Sequence, residues 1–221
     1  MEETVDYKYV YELQDQILEI VRTVETPFYL TGGTALHRFY YHLRYSDDLD
    51  FFVTQDLLFS EYVREILEYC RSRGYEYSHL VQSKNFHRIL FRGILQVDFV
   101  HDSVFRFGKS VLINGNKVDN VLNILANKVA ALMDRDEEKD VFDLFAIAAH
   151  ESFEWGHILD IANRKAIVDR AFFVERLKSF PLSWLERLKY IRPFPITREM
   201  VDQMVRDILR NGANTLCKEV T

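Results

Sequence analysis

Asp48 and Asp50 stand two residues apart in the run Ser46-Asp47-Asp48-Leu49-Asp50-Phe51-Phe52-Val53. The apolar residues that follow predict a strand over 48–53. Residues two apart on a strand present their side chains to one side. Two adjacent carboxylates turned to solvent suit a divalent cation; the plainer alternative is a strand edge with solvated acids. A third acid, Asp98, interrupts the apolar run Ile94-Leu95-Gln96-Val97-Asp98-Phe99-Val100. Alternation puts Leu95, Val97 and Phe99 on one face and Asp98 on the other, beside Gln96. A carboxylate inside an apolar strand is costly unless paired, so Asp98 should meet a metal or one of Arg88, Arg92 and Arg106. Upstream, Gly32-Gly33-Thr34 separates a short apolar strand from a helical stretch. Unhindered backbone N–H groups at such a turn can cradle phosphate, and Thr34 adds a hydroxyl. Arg44 and Ser46, just before the acids, could orient the loop or the phosphates; a structural ion pair serves Arg44 equally well.

The elements that position these residues follow from periodicity. Val10, Leu13, Ile17, Ile20, Val21 and Val24 recur at helical spacing and predict a lead helix over 6–25, ended by Pro27. Phe28-Tyr29-Leu30 reads as a strand, Thr34 to His42 as a helix, and Leu57 to Arg73 as a helix stopped by Gly74. Three strand-like runs follow, Tyr75 to Val81, His87 to Phe91 and Ile94 to Val100, with Arg92-Gly93 turning between the last two. Asn114-Gly115-Asn116 is hairpin chemistry between Ser110–Ile113 and Lys117-Val118. After residue 119 no convincing strand is found. Asp119 is placed to cap a helix through Val121, Leu125, Val129 and Leu132. Further helices are expected over about 137–150, 156–169, 171–179, 182–190 and 197–211. The expectation is an α/β (α+β) protein: a mixed sheet with flanking helices over 1–118, and a helical bundle over 119–221 that closes the nucleotide cleft. Periodicity is lost after Gly212, where a disordered tail is expected.

Composition narrows the classes. The 221 residues are 48% hydrophobic, enough for a substantial core. A net charge of −6 argues against whole-surface attraction to nucleic acid but not against a local basic patch. Cys70 and Cys217 have no metal-ligand spacing and read as free thiols of a reducing compartment. The first residues carry no signal-peptide pattern, and no apolar run approaches a membrane span, so a soluble cytoplasmic protein is expected. The histidines make no metal-binding pattern, and no serine sits in a hydrolase elbow. Lys84, His87, Arg88 and Arg92, with Phe86 and Phe91 between them, suit RNA backbone and base stacking. The bland alternative is charged outer positions of a strand.

The run Gly32-Gly33-Thr34-Ala35-Leu36, followed by Arg44-x-Ser46-x-Asp48-Leu49-Asp50-Phe51, resembles the nucleotidyltransferase domain of the AbiEii/AbiGii toxin family, within the DNA polymerase β-like superfamily. A second block from Lys128 to Leu144 also resembles it. The resemblance implies transfer of a nucleoside monophosphate from an NTP to an acceptor, with Mg²⁺ (or Mn²⁺) held by Asp48, Asp50 and Asp98 as the third carboxylate. It implies a phosphate contact for Lys128 and a site role for Asp143, although Lys139 and Asp143 could simply pair along a helix. Asp134, Arg135 and Asp136 read as a solvated connection. The resemblance further implies a toxin–antitoxin or phage-defence setting, an RNA acceptor such as the tRNA 3′ end, and a separate antitoxin. A small-molecule or protein hydroxyl is the alternative acceptor. A non-catalytic binding module is the alternative class, disfavoured because all three carboxylates are present.

Overall fold

The structure is a computed structural model and describes residues 5–54 and 57–217. The chain divides into two compact units. One comprises the residues up to Phe39 with Ser46–Ser103 and Ser110–Asp119; the other takes Tyr40–Tyr45, Val104–Lys109 and everything from Asn120. The helical unit therefore includes two stretches that a single cut near residue 119 leaves out.

The first unit is built on a seven-stranded mixed sheet. Its strands are β1 (Tyr29–Thr31), β2 (Leu49–Thr54), β3 (Tyr77–Gln82), β4 (Phe86–Phe91), β5 (Leu95–Asp102), β6 (Val111–Ile113) and β7 (Asn116–Val118), in the order β3-β4-β5-β2-β1-β7-β6. β2 runs parallel to β5 and β1 parallel to β7; the other pairings are antiparallel. Helices α1 (Tyr7–Thr23) and α3 (Phe59–Ser72) pack together. Their buried Val10, Leu13, Ile17, Val63 and Ile66 join the fully buried Val97 and Phe99 in the core. Phe59 meets Phe28 edge-on, and Phe51 stacks on Phe99. Asp6 caps α1 through its carboxylate, and the helix ends where Glu25 takes a positive φ of 56°, two residues before Pro27.

One local expectation changes and another holds. The helix after β1 starts at Gly32, as α2 (Gly32–Ala35), and widens into a π turn over Leu36–Tyr40. Asn114 and Gly115 both take positive φ, 49° and 80°. That is the two-residue turn that matches strand twist, and it closes the β6–β7 hairpin.

The second unit holds α4 (Val121–Asp134), α5 (Glu138–His150), α6 (Trp155–Asn163), α7 (Arg170–Ser179) and α8 (Arg198–Arg210). Asn120, not Asp119, caps α4 by accepting from the Asn123 N–H. α6 stops early because Asn163 turns its side chain to accept from Val168 N. The helix expected over 182–190 shrinks to a 3₁₀ segment, Leu182–Arg187. The chain beyond it is extended and pairs with 43–45, through Tyr45 N to Lys189 O and Ile191 N to Leu43 O. The disordered tail is also corrected for its described part: Asn214 is buried, and its amide donates to the carbonyls of Ala148 and Glu151. Residues 218–221 of that expectation lie outside the described residues, as do the first four of the N-terminal reading. Among the described residues no helix is long and apolar enough to cross a membrane.

Candidate active site

One row of residues crosses the middle of the sheet. Arg88 of β4 stands opposite Asp98 of β5, Asp98 opposite Asp50 of β2, and Asp50 opposite Thr31 of β1. Directly opposed residues share a sheet face, so strand alternation brings Asp50 and Asp98 side by side. Asp48 lies just before β2 rather than in it. Asp98 is 5% exposed, while Asp48 and Asp50 are half-buried.

Arg88 answers the question of what pairs with Asp98. Its Nε and one terminal nitrogen reach the two carboxylate oxygens at 2.9 and 2.7 Å, and Gln96 approaches from the side at 3.4 Å. The guanidinium pKa is raised, first by its hydrogen bond to Asp98, against the pull of desolvation, and further by the charges of Asp98, Asp50 and Asp48. Arg88 thus pairs with Asp98 and also feels the charges of Asp50 and Asp48.

The glycine turn is built against this row. Gly32 has φ +72°, and a Cβ placed there would lie 2.7 Å from Asp50 Oδ2. Only glycine lets the backbone pass so close to the carboxylate. Thr34 departs from its expected role. It is fully buried, donates to the Asp48 carbonyl, and shares a hydrogen bond with Ser46 Oγ at 2.8 Å. Its hydroxyl holds the acidic loop and is turned away from solvent; Ser46, also buried, does the same from the other side.

Gln14 of α1, fully buried, completes the support by donating to the carbonyls of Ser46 and Asp48 at 2.9 and 3.4 Å. Arg38 fixes the Gln14 amide by donating to its oxygen, lies over the Tyr11 ring, and pairs with Asp15. Gln14 is a residue that the sequence reading overlooked. The signal was there: it is a polar residue inside the apolar stripe of α1. Asp119 was also missed in its actual role, accepting from the Thr31 hydroxyl at 2.9 Å and donating its N–H to Leu30 O.

The remaining predicted residues sit within the helical unit. Arg44 grips Asp143 with two hydrogen bonds of 2.8 Å. Lys128 Nζ lies 2.6 Å from Asp143 and 2.7 Å from Asp140, and Arg135 pairs with Asp140 at 2.7 Å. Arg44, Lys128, Asp140 and Asp143 are all buried. Burial disfavours the Lys128 ammonium, but Asp143 and Asp140 outweigh it and raise its pKa. Asp143 therefore pairs with Arg44 and Lys128, not along its own helix with Lys139. Arg135 belongs to this network and is not merely part of a solvated connection.

The basic hairpin cluster does not form one patch. Adjacent strand positions face opposite ways, so His87 lies across the sheet from Arg88. Arg92 donates to Tyr9 OH and lies over Tyr75.

The donor set of the row is all carboxylate oxygen, which fits a hard divalent cation. Among the described residues no three His, Cys, Asp or Glu side chains are gathered tightly enough to hold a metal by themselves.

The fold recurs in known proteins. MenT4, a nucleotidyltransferase toxin from Mycobacterium tuberculosis H37Rv, aligns with a TM-score of 0.66 at 17% identity, covering 96% of this chain and 85% of that one. JHP933 from Helicobacter pylori aligns with a TM-score of 0.53 at 20% identity, covering 83% of this chain and 78% of that one. No curated protein sequence matches. The family model described as "Nucleotidyl transferase AbiEii toxin, Type IV TA system" matches residues 17–216. The chain is accordingly a nucleotidyltransferase belonging to the AbiEii toxin family of type IV toxin–antitoxin systems.

Proposed function

We propose that the protein transfers a nucleoside monophosphate from an NTP to an RNA acceptor, such as a tRNA 3′ end, in a divalent-metal-dependent reaction. One observation carries this reading: Asp50 and Asp98 stand directly opposite each other on paired strands, with the Gly32 turn packed against Asp50. Asp48 and Asp50 would hold Mg²⁺ or Mn²⁺, with Asp98 next to them on the sheet. The bound metal would bridge nucleotide phosphates and offset charge at the transferring phosphoryl group. Gly32 and Gly33 supply backbone N–H groups unobstructed by side chains. Thr34, Ser46 and Gln14 fix the loop that carries Asp48, so the acids are pre-positioned. Lys128 reaches a phosphate only by exchanging one of its aspartates for it; the family resemblance supports that role, as it does a partner antitoxin.

The test is incorporation. The protein is incubated with Mg²⁺, total bacterial RNA and each labelled NTP in turn, beside Asp48→Ala/Asp50→Ala. Label on RNA with the intact protein alone is the expected result. Pyrophosphate release without labelled RNA would move the acceptor to a small molecule or protein hydroxyl. Neither label nor pyrophosphate, with no rise in Tm from NTP and Mg²⁺ or Mn²⁺, would overturn the proposal.

A further inference from the structure

On the sheet face opposite the carboxylates, α3 and the β3–β4 hairpin enclose an open groove of about 760 Å³. Its charge is one-sided. Arg64 and Arg71 of α3, His79 of β3 and His87 of β4 line it against one carboxylate, Glu68. The Arg64–Glu68 pair is loose, at 3.9 Å with both side chains about two-thirds exposed (66% and 67%). Arg71 donates to the Tyr77 hydroxyl on the groove wall. His87 is only 6% exposed, and its Nδ1 has no hydrogen-bond partner among the described residues. Its ring lies 6.3 Å from that of His79. Two arginines and two imidazoles set against one loosely paired carboxylate suit an anion.

The spacing points to a strand of phosphates. Arg64 and Arg71 are seven residues apart on one helix, about 10 Å along its axis. Cations so placed meet different phosphates of one chain, not the oxygens of one phosphate. The Arg71 guanidinium also lies over the Tyr77 ring, 5.8 Å from its centroid, which fixes one of the two cations on the groove wall. The wall strand, β3, is a sheet edge with most residues exposed.

We propose that this groove binds the phosphodiester backbone of single-stranded RNA, with Arg64 and Arg71 on the phosphates and His79 and His87 beside them on the groove wall. The choice of RNA over other phosphates rests on the acceptor proposed above. The groove lies on the other sheet face from Asp50 and Asp98, so it would hold a segment of the acceptor away from the reacting end.

Binding should also take up protons. His87 is held below the ordinary imidazole value, first by burial and then by His79, so at neutral pH it is mostly uncharged. The charged and titratable groups facing it are Arg64, Glu68 and Arg71 from α3 and Tyr77 and His79 from β3. His101 of β5 stacks on Phe59, the ring that His87 also meets. A nearby phosphate favours the protonated His87 imidazole, so affinity should rise as pH falls.

The experiment is fluorescence anisotropy with a labelled single-stranded RNA, in the turnover-deficient Asp48→Ala/Asp50→Ala protein with and without Arg64→Gln/Arg71→Gln. Both arginines are exposed, so the fold should survive their replacement. The expected result is a loss of about tenfold or more. The slope of log K against log salt should also fall by about 1.4, at roughly 0.7 per lost phosphate contact. Affinity should rise between pH 7.5 and pH 6.0, and less so in His87→Gln. No binding by the parent protein, or unchanged affinity in the arginine variant, would overturn the proposal. So would displacement of the RNA by millimolar inorganic phosphate at constant ionic strength, which would mark a small-phosphate site. The readout is binding, so failed incorporation with intact groove binding would count against the proposed chemistry and not against the groove.

Discussion

The two acidic clusters of this protein differ in charge balance and in burial. In the sheet unit, Arg88 pairs with Asp98 and feels the charges of Asp50 and Asp48, and two of these three carboxylates are half-buried. In the helical unit, two aspartates are shared among Arg44, Lys128 and Arg135, and both aspartates are fully buried. The first cluster holds its Asp48 and Asp50 carboxylates within reach of solvent. The second has compensated its own charge inside the protein. Carboxylates at an accessible site favour a further cation, whereas a compensated buried network resists change because removing any one member strands the rest. The comparison separates an accessible acidic row from a buried network that is paired within the helical unit.

The largest expected effect is on turnover. Asp50→Asn keeps the shape and removes a charge, and the sheet should still fold. Nucleotidyl transfer should fall by about 10²–10³-fold or more, the size of losing one well-placed electrostatic contact to the transition state, with little change in Tm. A variant that keeps its activity would remove the catalytic reading of the row. Asp143→Ala should do the reverse. It leaves Arg44 and Lys128 buried against an incomplete partner set and should cost about 3–5 kcal/mol, read as a fall in the urea midpoint. If stability holds while NTP binding is lost, the helical network is a phosphate site and the contrast fails.

The pH dependence of that network has a defined sign. Burial works against the Asp140 carboxylate, but Lys128 and Arg135 outweigh it and hold its pKa below the ordinary 3.8. A depressed acid contributes stability above its unfolded pKa and loses it as pH falls through the folded value. The raised Lys128 contributes fully below its unfolded value and loses it as pH climbs through a folded value above 10.5. The penalty of Asp140→Asn should therefore be flat through neutrality and shrink only below pH 3.8 or at strongly alkaline pH.

Much of the sheet site was legible because its information is local. The Asp48/Asp50 spacing, the glycine pair and the alternation around Asp98 each lie within a few residues, and Arg88 was one of three partners named for Asp98. What was hidden depends on distance in sequence. Arg44 and Asp143 are 99 residues apart, and neither side of that pair carries a mark of the other. Gln14 supports a loop 32 residues away. Its polarity within an apolar stripe was visible, but nothing local said which carbonyl it serves. Thr34 was read from its type alone. Its inward direction is set by the fold of the turn, which one-dimensional spacing does not encode. The basic hairpin failed for a simpler reason: proximity in sequence on a strand means opposite faces, and His87 and Arg88 were grouped across that divide.

A smaller effect probes the backbone that supports the row. Gly32→Ala puts a side chain on a residue at φ +72° and drives its Cβ to 2.7 Å from Asp50 Oδ2. The backbone strain should cost about 1–3 kcal/mol, and the displaced carboxylate should lower kcat further than the loss of stability accounts for. Gly74→Ala is the control. It carries similar strain, at φ +77°, with nothing within 4 Å of the new Cβ. Equal losses of kcat in the two variants would reduce Gly32 to an ordinary turn residue.

The smallest expected change is also the one that bears most directly on why the two clusters differ. Arg88 is the internal counter-charge of the sheet row, 38% exposed at its side chain, where an ion pair is partly screened by solvent. A divalent cation arriving at Asp50 and Asp98 meets repulsion from that guanidinium and competes with it for the Asp98 oxygens. Arg88→Gln removes the competitor and retains a hydrogen-bond donor. Stability should drop only slightly, and the Mg²⁺ concentration needed for half-maximal thermal stabilisation should fall severalfold, because the Asp98 oxygens are then released from the guanidinium. The same neutralisation in the helical unit, Arg44→Gln, should leave Mg²⁺ dependence unchanged while lowering Tm by several degrees. If Arg88→Gln instead weakens Mg²⁺ binding, the arginine positions Asp98 for the metal rather than substituting for it. The row would then be a site assembled by its ion pair, and compensation of charge would no longer distinguish the two clusters.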